Sequence, residues 1–149
     1  MKISYFSLLD RFLISEMHSW GIPVLRWALG IIFLWFGALK VLGVSPVVDL
    51  ITATYFFLPP AFFIPVLGIW EVAIGLGLIS KFFLRGTLAL LWLQLIGAFA
   101  ALALAPALFF TNDNIFLLTM EGEFVIKNLI LVAAGLVIGG YEVKRNLYD

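Results

Sequence analysis

The chain contains no cysteine. That absence removes disulfides, CxxC redox pairs, thiolate nucleophiles and cysteine-ligated iron–sulfur clusters. It has one histidine, His18, so bis-histidine haem ligation within one chain is excluded as well. Charge is scarce: 12% of residues are charged, and nine basic side chains cancel nine acidic ones. A neutral, charge-poor chain makes no case for nucleic-acid binding. There is no phosphate loop, no hydrolase elbow and no nucleophile with a histidine base. No N-glycosylation sequon is present. The acidic residues that could meet, Glu71, Glu121 and Glu123, lack the spacing of a metal site, and none is expected.

What the chain has in quantity is apolar surface. Hydrophobic residues make up 64% of its 149 positions, with 15 Phe and 5 Trp. A water-soluble domain of this length could not hide so much. Four long apolar stretches carry most of it, over residues 24–42, 61–80, 86–110 and 124–141. Each approaches the ~20 residues a helix needs to cross a bilayer's hydrocarbon core. Pro65 falls in the first turn or so of the second stretch, where it is tolerated; Pro106 should kink or fray the end of the third.

The pattern therefore predicts an all-α polytopic membrane protein, a four-helix transmembrane bundle in a single domain over residues 1–149. Residues 4–19 read as an amphipathic helix lying in the interface, with Tyr5, Leu8, Leu9, Phe12 and Leu13 at helical spacing. Asp10, Arg11 and Glu16 interrupt the run that a cleaved signal peptide would need. Between the first two spans, SPVVDLITATYFFLPP predicts a short helix opened by Ser45–Pro46 and Asp49 and stopped by Pro59–Pro60. TNDNIFLLTMEGE, after the third span, reads as a polar, acidic loop.

Lysine and arginine set the expected orientation. Lys2, Arg11 and Arg26 precede or open the first span, Lys81 and Arg85 join the second to the third, and Lys144 and Arg145 follow the fourth. Both termini are thus expected on the cytoplasmic side.

Four full charges sit inside the apolar segments: Arg26, Lys40, Glu71 and Lys127. Charges there are costly and ordinarily face the bundle interior and pair with one another. In the first span Arg26, Gly30, Phe33, Gly37 and Lys40 share one helical stripe. Glycine on that stripe admits a close neighbour. Gly68, Glu71 and Gly75 repeat the pattern in the second span, and Gln94, Ala98, Ala101 and Ala105 line the third. Depth along the helices brings Lys40, Glu71 and Lys127 to one level, which predicts a shared polar site; Arg26 belongs to the opposite boundary. Such a site suits a small anion or the carbonyl of a quinone-like lipid, with Glu71 as candidate proton relay and Trp35 and Trp70 as secondary contacts. The competing reading is structural: Glu71 with a lysine can simply hold helices in register, and Arg26, Lys40 and Lys127 can snorkel to headgroups.

These segments carry a resemblance. RWALGIIFLWFGALKVLG resembles the opening helix of the DoxX-like membrane proteins, GIWEVAIGLGLI their second helix and EGEFVIKNLILVAAGLVI their last. SPVVDLI after Lys40 is similar to the YkgB-like, reactive-chlorine-resistance branch. The resemblance covers about residues 24–142. It implies a prokaryotic inner-membrane protein, Arg26, Lys40, Glu71 and Lys127 as positions of interest, and an association with thiosulfate:quinone oxidoreduction or oxidative stress. The expected function is an accessory or quinone-interacting subunit of a membrane redox or stress-response system. A quinone is the cofactor to look for. The bilayer and redox-complex subunits, or further copies of the chain, are the partners. The alternatives are a small transporter or permease component, or a purely structural subunit.

Overall fold

The computed structural model describes residues 5–112 and 114–143. Lys2, Lys144 and Arg145, which weigh in the charge asymmetry, lie outside them. The first helix, α1 (Tyr5–Val41), runs 37 residues without a break. At a rise of 1.5 Å per residue it is about 55 Å long. The expected interfacial helix and first span are thus one element. Pro23 sits inside it and removes one backbone donor without ending it. Residues 9–20 are exposed on every side, so neither face of that stretch is buried. Gly43, at φ 71°, closes the far end of α1, where its N–H meets Lys40 O and Val44 N–H meets Leu39 O.

Helix α2 (Val48–Thr54) is the short helix expected between the first two spans. It starts two residues later than Pro46 would set it, after Val47, with no side-chain cap. Pro59 and Pro60 do not stop it; Pro60 instead opens α3 (Pro60–Ser80), where proline's missing N–H costs nothing. A three-residue corner leads into α4 (Leu84–Leu104). Lys81 and Phe83 in this corner both take left-handed backbone angles, φ 58° and 53°.

Pro106 ends α4 outright. It forces Ala105 out of helical geometry (φ −139°, ψ 59°) and begins α5 (Pro106–Phe109). The segment read as a polar loop contains an antiparallel strand pair, β1 (Phe110–Thr111) and β2 (Asn114–Leu118). Ile115 to Leu118 is a β-favouring run, and Asn112 at φ 54° supplies the left-handed turn residue. The fold is therefore mostly, not wholly, α-helical. Thr119 caps α6 (Met120–Ile126) by accepting from Gly122 N–H at 3.0 Å. A turn at Lys127 separates α6 from α7 (Asn128–Glu142).

Four helical stretches are long and apolar enough to cross a membrane: Leu9–Val41, Pro60–Ser80, Leu84–Leu104 and Met120–Glu142. At most 33% of the most apolar window of each is buried within the chain, so the bundle's outer surface is itself apolar. Inside, Leu29 and Phe33 of α1 meet Ile74 and Leu78 of α3, Leu88 and Leu91 of α4, and Ile138 of α7. A second cluster of Ala101, Phe109 and Val125 fastens α5 and α6 to the end of α4.

Helices α1 and α3 form the closest pair. A Cβ on Gly75 would fall 2.6 Å from Leu34 N and 2.7 Å from Gly30 O, and one on Gly30 would fall 3.0 Å from Gly75 O. The two backbones touch, which only glycine permits. The stripe read from sequence faces this contact: Arg26, Gly30, Phe33, Gly37 and Lys40 are all buried, as are Gly68, Glu71 and Gly75.

Candidate functional site

The helices α1 and α3 run antiparallel at the Gly37–Gly68 contact, so Lys40 and Glu71 flank it on opposite sides and their long side chains reach across it. Lys40 Nζ donates to Glu71 Oε2 at 2.6 Å. Lys40 is 5% and Glu71 6% exposed. From α4, Gln94 Nε2 donates to Glu71 Oε1 at 2.9 Å. Three helices thus each contribute one polar group, and both carboxylate oxygens of Glu71 are held by the protein. Charge-assisted bonds of this kind are among the stronger ones a fold can make.

The lysine is less well served. An ammonium carries three N–H donors. Among the described residues Lys40 has one partner, Glu71. Gln94 is only half-buried, and its neighbours Leu93 and Ile96 are exposed, so the cluster approaches the outer apolar surface along α4.

Lys127 does not join this site. It sits at the turn between α6 and α7, exposed, with its Nζ 3.8 Å from Glu123 Oε2 one helical turn back. Depth alone does not bring it in: a one-residue turn at Lys127 interrupts the helical period of the Met120–Glu142 stretch, and the side chain is exposed. Trp35 lies on the exposed side of α1, away from the cluster. Trp70 packs against the main core, and its indole N–H donates to Leu90 O at 3.2 Å. Glu121 is exposed at the start of α6, so the acidic residues Glu71, Glu121 and Glu123 do not gather.

Arg26 forms a separate cluster at the other end of the bundle. It is buried rather than extended toward the boundary. One guanidinium nitrogen, Nη1, donates to Leu78 O and, at 3.0 Å, to Ile79 O. Those carbonyls belong to the last turn of α3, where the helix has no further N–H to offer and a cation is favoured. Arg26 Nε lies 2.7 Å from Glu142 Oε2, and Lys81 Nζ lies 2.8 Å from Glu142 Oε1. Arg26 Nε and Glu142 Oε2 meet as an ion pair off the hydrogen-bond direction and have no other partner among the described residues. Glu142 was not singled out in the sequence. Along the chain it is marked only by its place at the end of the last apolar stretch, just before Lys144 and Arg145.

A further polar tie holds the link after α2. Tyr55 Oη donates to Gly97 O of α4 at 2.6 Å. Burial pushes the phenol's pKa up, so it remains a donor.

Comparison with family models, with curated proteins and with solved structures finds no match to this chain.

Proposed function

We propose that the chain is a membrane-spanning accessory subunit of the DoxX-like kind, in which Lys40, Glu71 and Gln94 form a lateral site for a quinone-like lipid. The observation that carries this reading is the buried Lys40 ammonium, which has one partner among the described residues for three donors. A buried donor left unpaired costs about 1–3 kcal/mol, so such a group favours an incoming carbonyl or anionic oxygen. Access beside the half-buried Gln94, from an apolar surface, suits a lipid-soluble ligand better than a water-soluble one. In this role Lys40 holds the carbonyl oxygen, Gln94 orients Glu71, and Glu71 is placed to exchange a proton with the reduced group. The cysteine-free chain supplies no thiol chemistry of its own, which favours a subunit working beside a redox partner.

The preferred setting is a prokaryotic inner membrane with both termini cytoplasmic. The basic residues Lys81 and Arg26 cluster at one end of the bundle with Glu142, and Lys144 and Arg145 follow in sequence. Cysteines placed at Asn114 and at Tyr148 test this in intact cells. The first should react with an impermeant thiol reagent and the second should not; the reverse pattern contradicts the orientation.

A structural role has its own support, because both oxygens of Glu71 are already satisfied within the protein. The two readings separate by mass spectrometry of the protein purified in mild detergent. A quinone retained at near-stoichiometric amount supports the ligand site. Its absence from protein that is purified from quinone-replete membranes and binds none on addition leaves the cluster a structural lock.

A further inference from the structure

The end of the bundle opposite Lys40 holds a second arrangement. Beside the α3–α4 corner lies a groove of about 560 Å³. Ala73, Leu76 and Gly77 form one wall, Ala89 and Leu90 the other, and almost all of its surface is apolar. Its size falls within the ~300–1,000 Å³ of ordinary small-molecule sites. The corner itself supplies the rim. Ser80 and Phe82 border the groove, with Lys81 between them in the chain. Phe82 and Phe83 are 82% and 75% exposed, in the manner of aromatic anchors at a bilayer interface.

Near this corner the charge among the described residues is unbalanced. Glu142 is shared by two cations, Arg26 and Lys81, which leaves the trio with one positive charge in excess. Arg26 is buried and fixed on the end of α3, whereas the Lys81 side chain is half-exposed at the surface. An apolar slot beside a site of excess positive charge matches one class of molecule in a bilayer. A neutral lipid would leave the excess charge unmet, and a soluble anion would leave the slot empty.

We propose that this corner binds an anionic phospholipid, its phosphate on Lys81 at the rim and one acyl chain along the α3–α4 groove. The left-handed backbone angles at Lys81 and Phe83 turn the chain sharply between α3 and α4 and set the cation and the aromatic residues within one three-residue corner. By this geometry the lipid bridges α3 and α4 and completes the charge of the Arg26–Glu142–Lys81 trio. The proposal rests on the membrane reading of the chain and is independent of the Lys40–Glu71–Gln94 site.

The test uses the full chain in mild detergent, offered equal amounts of phosphatidylglycerol and phosphatidylcholine with the same acyl chains, with retention read by native mass spectrometry. The wild type should retain phosphatidylglycerol preferentially. Lys81→Gln should reduce that preference about fivefold, the effect of one basic side chain near a lipid surface. Ala89→Phe, at an exposed position lining the groove, should reduce retention of both lipids while leaving thermal unfolding unchanged. Equal retention of the two lipids by the wild type, or preference unchanged in Lys81→Gln with retention unchanged in Ala89→Phe, overturns the site. Failure of the membrane reading looks different: the chain would leave cell membranes in alkaline carbonate without detergent.

Discussion

Gly37 of α1 and Gly68 of α3 face each other with no side chain between them. A Cβ on Gly37 would lie 2.6 Å from Gly68 O, and one on Gly68 would lie 2.8 Å from Gly37 O. Neighbouring backbone blocks any easy escape, since Val72 N is 2.7 Å from the first position and Val41 N is 2.9 Å from the second. Substitution here must separate the helices. Gly37→Leu is expected to cost about 3 kcal/mol or more and to lower the folded yield sharply. Gly140→Leu serves as the control, because nothing lies within 4 Å of a Cβ there. Thermal unfolding in detergent reads both, and equal stability of the two variants would contradict the packing.

That contact also positions the ion pair. Glu71→Gln leaves Lys40 buried and uncompensated, a loss of about 3–5 kcal/mol. Adding Lys40→Met should recover part of it, a non-additivity of interacting groups. Lys127→Met in the same background should instead be additive, since Lys127 is exposed beside Glu123. Coupling of Glu71 to Lys127 as strong as to Lys40, measured by a thermal double-mutant cycle, would refute this arrangement.

Tyr55 gives a prediction in pH. Its folded pKa is raised above the ordinary value of 10.0 by burial. Below that value the phenol is neutral in both states and its contribution is complete. As pH rises past it, the unfolded chain ionises first, and stability falls. Tyr55→Phe should lose the bond to Gly97 O, about 0.5–1.5 kcal/mol at neutral pH, and flatten the alkaline decline. An unchanged alkaline decline in Tyr55→Phe would assign it to other groups.

The sequence made the α1 and α3 stripes legible because burial there follows a strict helical period. Charges and glycines on one face of an apolar helix admit few other arrangements, and Arg26, Gly37, Lys40 and Glu71 all lie where that period puts them. Lys127 was misplaced for a local reason. Rise per residue locates a side chain only while the helix continues, and α6 gives way to α7 at that residue. The β1–β2 pair was hidden because its β-favouring run, Ile115–Leu118, is short and flanked by polar residues. The continuity of α1 through Pro23 ran against the usual breaking effect of proline, which a helix can absorb at the loss of one bond. Glu142 was overlooked because pairing across the bundle, unlike periodicity, has no signature along the chain.

The most direct measurement is titration of a short-chain quinone into the protein in lipid nanodiscs, comparing the wild type with the charge-compensated Lys40→Met/Glu71→Gln variant. That variant carries no buried unpaired charge and is expected to recover part of the stability lost in Glu71→Gln, and thermal unfolding of the same samples reads stability separately from binding. The wild type is expected to bind saturably with one site per chain, and the variant about tenfold or more weaker, as for loss of a charged hydrogen bond of about 1.5–3 kcal/mol. Equal affinity in the two proteins, or no saturable binding by the wild type, would contradict the site at Lys40, Glu71 and Gln94.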